Sequence, residues 1–129
     1  MHQIVFNDVG DRVAALIHLR QSSSAQYLVG NTHLTFPHDD YDVQLRGQQI
    51  TRFVDAMEDY KRTRFGNNHR AVPTILAGDF NGDSQDFVYK YVTGRHFKSS
   101  VFEVLGREMG VTHQTHKGDE VSVDFLFYS

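Results

Sequence analysis

The strongest constraint on the fold is a change in hydrophobic period along the chain. The first third contains three apolar runs of strand length, separated by turn-forming residues: 3–6, 12–19 and 26–36. Across 43–61 the period changes, and four apolar residues fall on one helical face at i, i+3, i+4 and i+7: Ile50, Phe53, Val54 and Met57. The pattern predicts three antiparallel strands followed by a long helix. Asp40 or Asp42 is its predicted cap, and Gly47 weakens its first turn.

The second half adds a buried strand, a short helix and a final strand. Polar residues 64–73 predict a surface loop before the strand TILAGDF, 74–80. A short helix is expected over 84–92, capped by Asp83 or Ser84 and ended by Gly94, with an irregular stretch after it. Over 121–129 the apolar residues alternate, which places Asp124 on the opposite face from Val121, Val123, Phe125 and Phe127.

Composition excludes several functional classes. The 129 residues are 40% hydrophobic, which suits one domain with a real core, and no apolar run reaches the length of a membrane span. The start lacks a secretory signal, so a cytoplasmic or nuclear location is expected. Without cysteine, a metal would need oxygen or imidazole ligands. The net charge of -3 requires any nucleic-acid binding to be local.

The stretch GDFNGD carries the clearest chemistry. Asp79, Asn81 and Asp83 follow a predicted buried strand, and open α/β sheets bind ligands at the carboxyl ends of their strands. The same residue types also form ordinary capping turns, and both interpretations stay open. A calcium-binding helix-loop-helix is excluded, because Ser84 replaces the required glycine and Lys90 the final glutamate.

Three histidines are further candidates. His33 ends a predicted strand beside Asn31. His113 and His116 are three residues apart, so on an extended chain they point to opposite faces and do not suit zinc. Their loop either lines a phosphate or base pocket or is simply solvated.

In combination these stretches resemble a known superfamily. GNTHLTFP, LRGQQITRFVDAM, VPTILAGDFNGDSQDFVYKYV and VTHQTHKGDEVSVDFLFYS are similar, in that order, to the carboxyl-terminal half of an endonuclease/exonuclease/phosphatase domain of the DNase I-like superfamily. The sequence of these stretches is most similar to the deadenylase-like branch, which includes nocturnin and the carbon catabolite repressor 4 nucleases.

The resemblance implies an α/β (α+β) fold, part of a four-layer sandwich with a mixed, mostly antiparallel sheet and flanking helices. It also implies phosphoester hydrolysis with Mg²⁺ or Mn²⁺. Asp79 would align or deprotonate the attacking water and Asn81 would hold the phosphate. His33 would stabilise the developing charge, and Asp124 would orient a catalytic histidine. Asn31, His113 and His116 are candidate substrate contacts.

The chain also departs from the family pattern. The glutamate that is the family's principal metal ligand has no counterpart, nor does the histidine that pairs with the residue at Asp124. We therefore expect 1–129 to form a single partial domain in which Asp79 binds metal weakly and which is inactive alone. Nucleic acid or a nucleotide is the expected substrate.

Two alternatives remain at this stage. One is a non-catalytic module that binds phosphate-containing ligands or a protein partner, and the other is a phosphoinositide phosphatase. A half domain would leave one sheet face uncovered, which predicts an exposed apolar patch and self-association through it.

Overall fold

The computed structural model describes residues 2–8, 11–22 and 25–129. Eight strands and three α-helices make up this part of the chain: β1 (His2–Val5), β2 (Val13–Arg20), β3 (Gln26–His33), α1 (Asp40–Phe65), β4 (Thr74–Asp79), α2 (Phe87–Gly94), β5 (Lys98–Ser99), α3 (Ser100–Leu105), β6 (His113–Gln114), β7 (Glu120–Val121) and β8 (Asp124–Tyr128). The turn predicted between β1 and β2 and the segment before β3 fall partly on 9–10 and 23–24, outside the described residues. No helix in the described ranges is long and apolar enough to cross a membrane.

The sheet is mixed and mostly antiparallel. Six strands form it in the order β1-β2-β3-β4-β8-β5, and only β3 and β4 run parallel, because α1 carries the chain back between them. The three antiparallel strands predicted from the first third are confirmed. β6 and β7 form a separate two-stranded hairpin.

One face of the sheet is covered by α1 and α2. Alternate residues of the central strands, such as Leu28, Leu76 and Phe127, point into this core and are buried. Gly30 lets α1 approach, since a Cβ there would lie 2.8 Å from the Phe53 ring. The ring of Tyr89 in α2 packs edge-on against Phe127, with centroids 5.4 Å apart.

The other face, called here the open face, remains accessible and largely apolar. Strand alternation places these side chains on it: Val5, Val13, Ile17, Leu19, Tyr27, Val29, Ile75, Ala77, Leu126 and Tyr128. Six of them, at positions 5, 13, 19, 27, 126 and 128, are large exposed hydrophobics. The expected apolar patch is therefore present.

Several local predictions need correction. The long helix is capped by Asp39, whose carboxylate accepts from the Asp42 N–H at 3.0 Å, rather than by Asp40 or Asp42. It continues through Gly47 without a break and runs to Phe65, beyond 61. The predicted surface loop contains a 3₁₀ helix over Gly66–Ala71.

The short helix begins three residues later than predicted. Asp86, not Asp83 or Ser84, is its cap and accepts from the Val88 N–H at 2.8 Å. The residue that caps it is selected by a distant contact, since Asp86 also accepts from the buried Arg46 at 2.7 Å.

The stretch expected to be irregular contains α3. Its ends are marked by Ser99, whose hydroxyl accepts from the Phe102 N–H, and by Gly106 in the left-handed conformation. Six residues are too few to show a hydrophobic period, so capping residues are the only local signal of this helix.

Candidate functional site

The loops after β3 and β4 are joined by hydrogen bonds. The Leu34 N–H donates to the Asp79 carbonyl at 3.0 Å, and the Asn81 side-chain amide donates to the Leu34 carbonyl at 2.8 Å. The Asn81 backbone N–H donates to the Asp79 carboxylate at 2.9 Å. The parallel pairing of the strands thus continues as a fixed pair of polar loops at one edge of the open face.

Asn81 is a central part of this arrangement. Its side chain is buried and its backbone has a φ of 51°, a left-handed conformation that asparagine tolerates better than most residues. One amide hydrogen is used on Leu34, which leaves the second hydrogen and the amide oxygen for other partners. GDFNGD therefore forms a local turn that holds Asp79 in place, but it is not a capping turn, because Asp86 caps α2.

Three of the predicted site residues meet at this edge. His33 and Asp79 are cross-strand partners, with His33 Nε2 3.5 Å from Asp79 Oδ2, and Asp124 is the partner of Asp79 in the antiparallel pairing of β4 with β8. Their side chains are accessible, at 54% for His33 and 24% for Asp79. Two carboxylates and an imidazole therefore face solvent side by side.

A shallow concavity of about 480 Å³ contains this cluster. Asn31 lines it too, and its side-chain amide donates to the Ala77 carbonyl at 3.2 Å. Val101 of α3 forms one wall. The wall was missed from the sequence because α3 itself was missed.

The predicted substrate histidines lie elsewhere. His113 begins β6 and His116 lies in the hairpin turn, both are exposed, and neither lines the concavity. Their neighbour Thr112 does contribute, because its hydroxyl accepts from the Val123 and Asp124 N–H groups at 3.0 Å each. The hairpin therefore supports the start of β8 and with it Asp124.

Buried polar residues of α1 support the two loops from behind. The side chain of Gln49 accepts from the Thr35 N–H at 3.0 Å and donates to the Thr35 hydroxyl at 2.8 Å. The Arg46 guanidinium donates to the Asp86 carboxylate at 2.7 Å. It also packs closely on Gly82, since a Cβ there would lie 2.6 Å from Arg46 Nη1. Both residues stand in the stretch LRGQQ, but nothing in a single sequence indicates partners that far away.

The residues present fit part of a metal site. Asp79 and Asp124 offer the oxygen ligands that Mg²⁺ prefers, and Mg²⁺ often needs only one or two protein carboxylates beside substrate phosphate. Within the described ranges, no three histidine, aspartate or glutamate side chains are placed to hold an ion together.

The architecture defines the class to which the fold belongs. It is the fold of the endonuclease/exonuclease/phosphatase, or DNase I-like, domains, and the chain is consistent with their carboxyl-terminal half. The fold predicted from the resemblance is confirmed.

Particular structures show the likeness. The human nocturnin catalytic domain with a bound sulfate anion matches 99% of this chain with a TM-score of 0.76 at 19% identity. Truncated TDP2 from Caenorhabditis elegans also matches 99%, with a TM-score of 0.65 at 15% identity. A family protein from Bacteroides thetaiotaomicron matches 92%, with a TM-score of 0.64 at 19% identity. The chain spans 46%, 50% and 41% of these three chains.

One curated relative is similar in sequence. An uncharacterized calcium-binding protein from Arabidopsis thaliana is 31% identical over 140 residues, which include 97% of this chain but only 28% of the relative. No family model matches the chain.

Proposed function

We propose that this chain supplies the water- and phosphate-positioning half of a metal-dependent phosphoesterase acting on phosphodiester bonds of nucleic acid or a nucleotide. The observation that carries the proposal is the meeting of His33, Asp79 and Asp124 on the open face, with Asn81 fixed behind them. The shared fold with endonuclease/exonuclease/phosphatase proteins supports it.

Each residue has a defined chemical part in this proposal. Asp79 accepts a proton from water or aligns it, and its position is fixed by the Asn81 N–H. The imidazole of His33 and the free amide hydrogen of Asn81 donate to phosphate oxygens as negative charge develops. Asp124, across from Asp79, adds a second carboxylate to the site.

Mg²⁺ or Mn²⁺ would be held by Asp79, with Asp124 as the neighbouring carboxylate. When bound, the ion would neutralise charge on the phosphate. Because the lining of the concavity holds no third carboxylate, and no three candidate ligands among the described residues are placed to hold an ion together, we propose that this chain binds the ion weakly. The name of the Arabidopsis relative gives calcium binding to that protein, and this chain's own Asp79–Lys90 loop lacks the glycine and the final glutamate of a calcium loop.

The second candidate is a non-catalytic module that binds a phosphate-containing ligand or a protein partner. The open apolar face beside an incomplete metal site favours it. The two candidates differ in whether a completed domain turns over a substrate.

The test uses this chain combined with the amino-terminal half of an endonuclease/exonuclease/phosphatase domain, called here the complemented protein. Oligoadenylate, a simple phosphodiester and a phosphoinositide are offered with Mg²⁺. Asp79→Ala should lower turnover about 10³-fold or more through loss of the base. Asn81→Ala and His33→Ala should each cost about 10²- to 10³-fold through loss of a donor.

Asp83→Ala is the matched control, because Asp83 lies in the same loop and its carboxylate accepts a hydrogen bond only from the Gln85 N–H among the described residues. Its activity should equal that of the unmodified protein. Undiminished turnover in Asp79→Ala would overturn the site assignment. Turnover of the phosphoinositide alone would move the proposal to the phosphatase alternative.

A further inference from the structure

A second cleft lies at the opposite end of the sheet from Asp79. It has a volume of about 530 Å³, and its lining includes Ser129, which exchanges two main-chain hydrogen bonds with Thr74 at that end of the sheet. Since Thr74 and Asp79 are the two ends of β4, the cleft and the candidate site are roughly 17 Å apart along the strand. Nothing in the proposed phosphoesterase chemistry uses it.

Positive side chains dominate the cleft. Four permanent cations line it, Lys61, Arg62, Arg70 and Arg95, against two side-chain carboxylates, Asp55 and Glu58, and Ser129, the last residue of the chain, lines it as well. On a chain whose net charge is -3, this concentration of positive charge is local.

Three of the four cations already have an ion-pair partner among the described residues. Arg95 lies 3.5 Å from Asp55, which occupies that carboxylate. Lys61 is 5% exposed, yet its ammonium is 3.7 Å from the nearest Glu58 oxygen, too far for a hydrogen bond. Arg70 is exposed and has no ion pair with any described residue. A buried ammonium with one long ion pair and an unpaired guanidinium thus share one cavity.

Two histidines complete the rim. His69 is held by a 2.8 Å hydrogen bond from its Nδ1 to the Gly66 carbonyl. His96 has a φ of 72°, a conformation in which glycine is the usual residue after a helix. Cations near the carboxyl end of a helix are favourable because they interact with the helix dipole. That interaction does not require Lys61 to be buried.

We propose that this cleft is a second phosphate-binding site, in which Lys61 and Arg70 hold a phosphate group. The size of the cleft suits a group as large as a nucleotide. The phosphate comes either from free inorganic phosphate or from a nucleic-acid strand. The site is independent of the proposed phosphoesterase function.

The test follows histidine ring signals by NMR while inorganic phosphate or oligoadenylate is added to the chain. Saturable shifts of His69 and His96 are expected in at least one arm. Tighter binding of oligoadenylate with a steep salt dependence would identify a nucleic-acid source, and equal affinities would identify free phosphate. Either result supports phosphate binding in the cleft.

Variants provide the controls. Arg70→Ala should weaken binding about tenfold, the loss expected for one charged hydrogen bond, and Lys61→Met should do the same while keeping the aliphatic stem. Arg107→Ala, an exposed cation outside the cleft, should change nothing. If Lys61→Met fails to fold, exposed Arg70 still decides the question.

The results that would overturn the proposal are distinct from those that concern the phosphoesterase. Shifts confined to His33 would place phosphate at the candidate site and refute phosphate binding in the cleft. Equal shifts at all eight histidines, or unchanged binding in Arg70→Ala, would refute it too. None of these outcomes bears on turnover by the complemented protein.

Discussion

Gly78 precedes Asp79 in β4 and shows how closely the site strands approach. Its φ is 153°, and a Cβ there would lie 1.9 Å from the Thr32 carbonyl oxygen of β3. Gly78→Ala should therefore destabilise the protein by about 3 kcal/mol, because backbone rather than a movable side chain must give way. Urea unfolding measures the loss.

Gly94 is the matched control at the end of α2, since a Cβ there meets nothing within 4 Å. Gly94→Ala should be neutral or slightly stabilising. Equal stability of the two variants would mean that β3 and β4 do not approach as described.

Tyr89 gives a prediction about pH. Burial, helped by the hydrogen bond to Glu108, raises the pKa of its hydroxyl from 10.0 to about 12. The unfolded chain loses this proton first, so the stability that Tyr89 contributes is complete below pH 10 and falls between pH 10 and about 12.

Tyr89→Phe removes this dependence while keeping the ring that packs on Phe125 and Phe127. The variant should be about 1 kcal/mol less stable near neutral pH, through loss of one hydrogen bond. Its deficit should shrink as the pH rises above 10, which urea midpoints at several pH values would show. Parallel pH profiles for the two proteins would contradict the assigned cause.

At the residue scale, the sequence predicted the placement of those site residues whose position depends only on their own strand. His33, Asp79 and Asp124 stand at strand ends, and alternation alone indicates their face. It could not locate Arg46, Gln49 or Thr112, because their partners are 40, 14 and 11 or 12 positions away in the chain. Supporting contacts of that kind depend on the folded arrangement.

At the scale of elements, Asp86 both caps α2 and neutralises Arg46 of α1. The Arg46 side chain is 4% exposed, and its Nε and Nη1 atoms have no other partner among the described residues. Asp86→Asn keeps an oxygen for the cap but leaves the buried guanidinium without a counter-charge. We expect a loss of about 3 kcal/mol in the free energy of unfolding.

Asp39→Asn is the comparison, since Asp39 caps α1 with no ion pair among the described residues. Asparagine caps helices about as well as aspartate, so a change of only a few tenths of a kcal/mol is expected. If both substitutions cost the same, the ion pair between the helices contributes nothing measurable.

Elements with a clear period were predictable, and those defined by their ends were not. The face formed by Ile50, Phe53 and Met57 indicated α1 because the pattern repeats over several turns. By contrast, α3 has fewer than two turns, and only Ser99 and Gly106 mark it. Its absence from the prediction removed Val101 from the expected site.

At the scale of the whole molecule, the open face predicts self-association. Ile17, Val29 and Ile75 form an apolar row across its centre. Val29→Lys should therefore shift the protein towards monomer in light scattering at high concentration, because a charge would be buried in any contact through this face. Val104→Lys on α3 is the control, since Val104 is 80% exposed and off the sheet.

Association that is equal in the two variants would place the contact elsewhere. A monodisperse monomer of the unmodified chain at high concentration would contradict the prediction itself.

Metal affinity is a second property of the whole molecule. With two neighbouring carboxylates and no three candidate ligands placed to hold an ion together in the described residues, we expect Mg²⁺ to bind the isolated chain with millimolar affinity or weaker. Titration calorimetry measures it. Micromolar affinity would contradict the expectation, and its loss in Asp124→Asn would identify that residue as a principal ligand.

On the function proposed above, the polar edge of the open face is half of a catalytic site. The most direct measurement is Mg²⁺-dependent phosphodiester hydrolysis by the isolated chain and by the complemented protein, each with and without a chelator. We expect background turnover from the chain alone and chelator-sensitive turnover after complementation, because the ion that neutralises phosphate charge contributes several kcal/mol, roughly a thousandfold in rate. Robust chelator-sensitive turnover by the 129-residue chain, or none after complementation, would contradict it.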